Sequence, residues 1–257
     1  MTMKKIAVVT GASSGMGREF ALTLEQHFKV DEIWAIARNE KALNELGKLV
    51  SADVRAISMD LTDQGSFEKY EKALEEEQPE ISLLVNASGF GIFDSVSDMK
   101  MKDSDDMVDL NCKALVKMTK MSLPYMHEGS KIINIASMAA FQPIPYIDVY
   151  GASKAFVLSF SRALNSELEL RKIQAMAVCP YWTKTRFFDR AVGEKQIVKK
   201  YIVMYEPEMI IRQAWKDLEK GRDISIYGTI AKGQAALCKI LPHKLVMNIW
   251  KKQQDLH

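Results

Sequence analysis

The chain has 257 residues, 47% hydrophobic and 26% charged, which suits one α/β domain with a large core and excludes a disordered or fibrous protein. With 35 basic and 33 acidic residues the net charge is +2, which excludes nucleic acid or a charged membrane as the expected main partner. Cys112, Cys179 and Cys238 lie far apart and the four histidines show no ligand spacing, so a reduced, metal-free, cytoplasmic protein is expected. The opening apolar run Ile6–Val9 is too short for a signal-peptide core or a membrane span, and no transmembrane segment is expected.

In chain order, strands are expected at Lys5–Thr10, Glu32–Ala37, Val54–Ser58, Ser82–Asn86, Lys131–Ala136, Gln174–Val178 and Ile224–Tyr227. Helices are expected at Gly15–Phe28, Glu40–Leu49, Ser66–Glu77, Ser104–Met121, Tyr150–Arg171 and Pro207–Glu219. Alternation of strand and helix, with continuous apolar strands such as Ile6–Val9, implies a parallel sheet covered on both faces. The fold class is therefore α/β: a doubly wound, Rossmann-like sheet of about seven strands in a single domain spanning 1–257. Ligands of such sheets sit beyond the carboxyl ends of the strands, so the residues just after each strand matter most.

After the first strand comes Thr10-Gly11-Ala12-Ser13-Ser14-Gly15-Met16-Gly17. A glycine-rich turn opening a helix suits a pyrophosphate, although an ordinary tight turn has the same look. The second strand ends at Arg38, where an NAD-selective fold usually carries an acid. Its guanidinium suits an adenosine 2′-phosphate, with Ser13 or Ser14 adding a hydroxyl; the competing reading is a solvated arginine. NADP is the expected cofactor. Asp60, after the third strand, either accepts from an adenine amino group or caps the next turn. Asn86-Ala87-Ser88-Gly89 forms a small-residue corner after the fourth strand.

Ser137 follows the fifth strand, and Tyr150 and Lys154 stand at i and i+4 on one helix face. A phenol titrates near ~10 in water; a nearby ammonium that lowered it by about three units would supply roughly 4 kcal/mol of differential stabilisation. Each residue alone has an ordinary structural use, but the ordered set points to proton transfer at a carbonyl.

From Lys4 to Tyr227 the chain resembles the short-chain dehydrogenase/reductase family, through Thr10–Gly17, Asp60, Asn86–Gly89, Asn111, Ser137, Tyr150 and Lys154. The resemblance implies hydride transfer between a nicotinamide and a carbonyl carbon. It casts Tyr150 as acid–base residue, Ser137 as the group orienting the oxygen, Lys154 as ribose ligand and Asn111 as support for a proton-relaying water. It also implies that Thr183 and Thr185 lie by the nicotinamide amide, and that the protein is a homodimer or homotetramer. Two departures are Ala87 in place of an asparagine and Tyr181 in place of a glycine.

Phe93, Phe141, Tyr181, Trp182 and Phe187, on loops beyond strand ends, are the expected substrate pocket. A small hydrophobic ketone or secondary alcohol is the expected substrate, with hydroxysteroid or 3-ketoacyl reduction as narrower alternatives and a non-catalytic NADP sensor as the competing class. Residues 181–205 and the tail together are expected to form a mobile cover over the substrate, with a helix over Glu194–Tyr205. The tail, 228–257, is expected to add two short helices, Ile230–Leu241 and His243–Lys251, divided by Pro242. Their apolar stripes read first as packing, then as lid, and last as an interfacial membrane helix, since one ten-residue segment buries little area.

Overall fold

The computed structural model describes residues 3–63, 65–192 and 196–256. Seven parallel strands form one sheet: β1 (Lys5–Thr10), β2 (Glu32–Ala37), β3 (Asp53–Ser58), β4 (Glu80–Asn86), β5 (Lys131–Ile135), β6 (Gln174–Val178) and β7 (Ile224–Ser225). Their spatial order is β3-β2-β1-β4-β5-β6-β7. The chain winds outward from β1 in one direction, then returns to β4 and winds in the other. The crevice at this reversal, beyond the paired ends Thr10 and Asn86, is where such folds bind ligands.

Strand periodicity of two sorts the side chains onto two buried faces. Ala7, Val9, Ile33 and Ala35 pack with Phe20 of α1 (Gly15–Thr23) and Trp215 of α8 (Pro207–Glu219). Ile6, Val8, Trp34 and Ile36 pack with Phe67 and Tyr70 of α3 (Ser66–Glu77), Met118 of α5 (Leu115–Ser122) and Leu164 of α6 (Asp148–Glu167). Both faces are covered, as the uninterrupted apolar strands require. Short α2 (Glu40–Leu46) starts at Asn39, whose side chain accepts from the Ala42 amide.

A buried polar chain crosses the middle of the sheet. Asn86 donates to Asn134 Oδ1 at 2.9 Å, Asn134 donates to Ser161 Oγ at 2.9 Å, and Ser161 donates to the Val157 carbonyl at 2.7 Å. It ties β4 and β5 to α6, the helix that carries Tyr150 and Lys154.

Several elements depart from expectation. The helix expected at Gly15–Phe28 ends at Thr23 before a 3-10 turn, Leu24–Gln26, and those expected at Glu40–Leu49 and Tyr150–Arg171 end at Leu46 and Glu167. The helix expected at Ser104–Met121 begins earlier, as α4 (Met101–Val108), and passes through a π-helical turn, Asp109–Ala114, before α5. The last strand is two residues long, because Tyr227 leaves the ladder to meet Tyr205 edge-on, ring centroids 4.9 Å apart. No helix forms over 196–205; Glu194 lies outside the described residues. Buried Gln254 takes the backbone instead, accepting from the Lys199 and Lys200 amides and donating to the Lys200 carbonyl. A side chain from the tail thus supplies partners that a helix would have found within itself.

Beyond β6, α7 (Phe187–Ala191) precedes this segment, and α9 (Thr229–Ile240) and α10 (His243–Gln253) form the tail. No helix among the described residues is long and apolar enough to cross a membrane.

Candidate active site

The turn after β1 is shaped for close approach. Gly11 has φ +68° and Gly15 φ +56°, and a Cβ on Gly17 would lie 2.5 Å from the Gly11 carbonyl oxygen. Only glycine fits these positions. Ser14 begins α1 in extended conformation and its side chain makes no capping hydrogen bond, so the helix's first amides remain available to an anion. Ser13, Ser14 and Gly15 line a groove of 1330 Å³ together with Arg18, Asn39, Lys41, Lys184 and Thr185. A glycine cradle, an uncapped helix start and flanking cations fit the pyrophosphate of a dinucleotide.

Arg38 is not among the residues that line this groove, although its neighbour Asn39 is; its side chain is largely exposed and 3.7 Å from Asp60 Oδ2. Asp60 Oδ1 accepts from the Thr62 amide and hydroxyl at 2.9 and 2.8 Å, so the carboxylate does cap its own turn. Burial pushes the Asp60 carboxyl upward, but the Thr62 hydrogen bonds and the Arg38 charge together hold it below its ordinary value. Arg18 and Lys41 were not singled out in sequence. Their signal was positional, one just after the glycine turn and the other in the first turn of α2.

Asn111, Ser137, Tyr150 and Lys154 converge on the ends of β4 and β5. Asn111 is fixed by the π-helical turn, an irregularity common at functional sites. Its amide accepts from the Phe90 amide at 3.1 Å and donates to the Phe90 carbonyl and to Ser153 Oγ. Lys154 is 5% exposed, donates to the Ile135 carbonyl at 2.7 Å, and holds its ammonium 5.8 Å from the Tyr150 ring centre. A Cβ on Gly89 would stand 2.9 Å from Asn111 Oδ1 and 3.2 Å from Lys154 Nζ, so the small-residue corner leaves the space around both groups open.

Ser137 starts a 3-10 turn, Met138–Phe141, and accepts from the Ala139 amide. Its hydroxyl shares a cavity wall with the Tyr150 phenol. Burial pushes the phenol up to about 12, the nearby Ser137 hydroxyl working against it. Burial pushes Lys154 down to about 8. The expected lowering of the tyrosine by the lysine is thus not the dominant effect; desolvation of both groups is.

Ser137 and Tyr150 form part of the wall of a second, mainly apolar cavity of 480 Å³. Phe93, Tyr181, Trp182 and Phe187 line it, as do Met16, Thr183 and Thr185. Phe141 does not; it packs with Met138, Ala231 and Ala235, because the 3-10 turn directs it beneath α9. Thr185 and Phe188 border both the groove and the cavity, so the two spaces meet there. Gly91 was overlooked in sequence: a Cβ there would press to 2.8 Å on the Tyr150 ring and 2.9 Å on Phe187. Leu237, Leu241, Val246 and Trp250 of the tail also line the cavity, in keeping with the tail's expected part in the cover.

The model of the short chain dehydrogenase family matches residues 5–196. The chain belongs to the short-chain dehydrogenase family. An oxidoreductase of Staphylococcus epidermidis is 32% identical to this short-chain dehydrogenase over 69% of the chain and 77% of its own length. The very-long-chain 3-oxoacyl-CoA reductase of Bos taurus is 27% identical over 94% of the chain and 78% of its own length. Among solved structures, a short-chain dehydrogenase from Sphingobium yanoikuyae in complex with NADPH superposes with a TM-score of 0.77 at 24% identity, covering 93% of this chain and 96% of its own. The seven-stranded Rossmann-like fold is thus that of this oxidoreductase family.

Proposed function

We propose that this short-chain dehydrogenase uses NADPH to reduce a bulky hydrophobic ketone to a secondary alcohol, reversibly and in the cytoplasm. The observation that carries the reading is the placement of two hydroxyls, Ser137 and Tyr150, on the wall of one apolar 480 Å³ cavity that joins a polar groove at the glycine turn. A cavity of that volume suits a drug-sized or steroid-sized molecule with a single polar anchor.

NADPH, when bound, supplies the hydride. Gly11, Ser13, Ser14, Gly15, Met16 and Gly17 would hold its phosphates and Arg38 its 2′-phosphate, supported by Arg18 and Lys41. Asp60, Asn86, Thr183 and Thr185 complete the proposed contacts. Ser137 and Tyr150 orient the carbonyl oxygen through their hydroxyls. A phenol raised to about 12 keeps its proton at neutral pH, which suits a donor to the nascent alkoxide. Lys154, near 8, exchanges protons close to neutrality and can restore the one Tyr150 gives up. Asn111, anchored at both ends on Phe90, positions the inner end of that route.

The test is oxidation of NADPH and NADH with aryl ketones, steroid ketones and 3-ketoacyl thioesters. Ketone-dependent NADPH oxidation is expected; cofactor binding without turnover across the panel would make the protein a sensor. The bovine relative's name favours the thioester as a second reading of the same site. A homodimer or homotetramer belongs to this proposal: on α6, Phe156 is 44% exposed and lies parallel to Phe160, an apolar face suited to a subunit contact. Light scattering at micromolar concentration checks it, and a monomer refutes it.

A further inference from the structure

The mouth of the apolar cavity is built mainly from the tail. Ile230 and Leu237 of α9, Ile249 of α10 and Ile202 of the covering segment line the cavity and are also exposed. Ile240 and Leu245 extend this rim without lining the cavity, 80% and 46% exposed. Ile240 adjoins Leu241, a lining residue, and Leu245 lies one helical turn before Ile249. Exposed apolar side chains scattered singly are ordinary, but six gathered about one opening mark an interaction surface.

Charge is equally local. From residue 224 to 254 there is no Asp or Glu, whereas Lys232, Lys239, Lys244, Lys251 and Lys252 fall within that stretch. The chain as a whole is only +2, so the remainder is net negative. None of these five lysines forms an ion pair among the described residues; at the far end, Asp255 is paired to Lys200 at 2.7 Å. An apolar rim flanked by unopposed lysines is the arrangement of a helix lying in a lipid interface. A second copy seated on the same patch would oppose lysine to lysine, which costs affinity. One short helix holds too little apolar area for such seating; here two helices and a loop residue present it together on a folded body.

We infer that this face seats on an anionic phospholipid bilayer, its lysines against the headgroups and its rim in the interface, so that an apolar substrate passes from lipid directly into the cavity. The entry route rests on the reductase reading; the seating does not.

The full-length protein is floated with vesicles of phosphatidylcholine alone and of phosphatidylcholine mixed with phosphatidylglycerol. Binding to the anionic vesicles, weakened by salt, is expected. Ile240→Glu/Leu245→Glu should abolish it, and Lys239→Glu/Lys244→Glu should weaken it by about tenfold or more. All four positions lie outside the cavity lining, so turnover of a short, water-soluble ketone should persist, while KM for a long-chain ketone delivered in vesicles rises. Failure of the wild-type protein to float with anionic vesicles, or flotation indifferent to both double variants, overturns the inference. So does a concentration-dependent dimer that Ile240→Glu/Leu245→Glu dissolves while no vesicle binding is seen. Vesicle binding with no ketone turnover sinks the reductase reading and leaves the seating intact.

Discussion

Trp250 of the tail stacks on Trp182 of the covering segment, ring centroids 6.4 Å apart and planes 25° from parallel. Its indole N–H donates to the Pro145 carbonyl at 3.1 Å, so one side chain joins the tail, the covering segment and the approach to α6. Trp250→Ala should raise KM for bulky ketones severalfold while cofactor affinity holds, because the cavity wall loosens and the groove is untouched. Deleting the chain after Leu241 should exaggerate the effect. Unaltered kinetics in a truncated protein of undiminished stability would reduce the tail to packing.

Tyr150→Phe removes one hydroxyl from the cavity wall. Turnover should fall by about a hundredfold or more, the usual worth of a positioned proton donor. Fluorescence titration should find NADPH binding nearly intact. Retention of more than a small fraction of the wild-type rate would remove Tyr150 from its assigned role.

Lys154 carries a stability consequence. Its folded-state value of about 8 lies below its ordinary 10.5, so between those pH values the unfolded chain binds more protons than the folded one. Stability therefore rises with pH through that window, and below it the buried ammonium is a burden on the order of 3 kcal/mol. Lys154→Met should abolish turnover yet unfold at higher denaturant concentration at pH 7, with the gap to wild type narrowing toward pH 10. A variant less stable than wild type at pH 7 would show that the bond to the Ile135 carbonyl outweighs desolvation. The same titration predicts that reductive kcat falls as pH rises through about 8, when Lys154 loses the proton it would pass on.

Arg38→Asp should weaken NADPH and improve NADH, moving the ratio of kcat/KM values by about tenfold to a hundredfold, the worth of one charge-assisted hydrogen bond. Equal efficiency with both cofactors in the unmodified protein would refute the role of Arg38. If preference for NADPH survives the substitution, Lys41 and Arg18 in the groove are the next cations to replace.

Asp217 is almost wholly buried and accepts from Arg222 Nη1 at 2.7 Å, Ser225 Oγ at 2.8 Å and Gln213 Nε2 at 2.9 Å. It anchors the two-residue β7 to α8. Asp217→Ala strands these donors and should cost about 3 kcal/mol in chemical denaturation, with little change in KM. A loss under about 0.5 kcal/mol would mean that water replaces the carboxylate.

What was legible in the sequence was what periodicity and local chemistry write there. Ile6–Val9 marks a strand buried on both faces, and the glycine turn and the Tyr150–Lys154 spacing are local patterns that survive folding unchanged. The features that escaped depend on partners distant in the chain. Residues 197–201 have a helix-like pattern, yet the Lys199 and Lys200 amides go to Gln254, more than fifty positions away. Phe141 has the composition of a pocket residue, but the 3-10 turn after Ser137 aims it at α9. The π-helical turn at Asn111 leaves no compositional mark, since one extra residue per turn changes direction rather than polarity.

The covering segment also has a closed neck. Thr183 bridges Tyr205, the Lys184 amide donates to the Tyr205 carbonyl, and the Tyr205 amide donates to the Trp182 carbonyl, so the excursion leaves and re-enters the domain at one place. The entropy of closing such an excursion grows only slowly with its length. Apart from Thr185, a proposed cofactor contact, and Phe187, which packs against Tyr150, its inner residues can therefore be lengthened, shortened or exchanged as a cassette while Ser137, Tyr150 and Lys154, all outside the neck, keep their positions. A scaffold with that joint is open to new substrates by loop replacement, with the proton-handling machinery inherited unchanged.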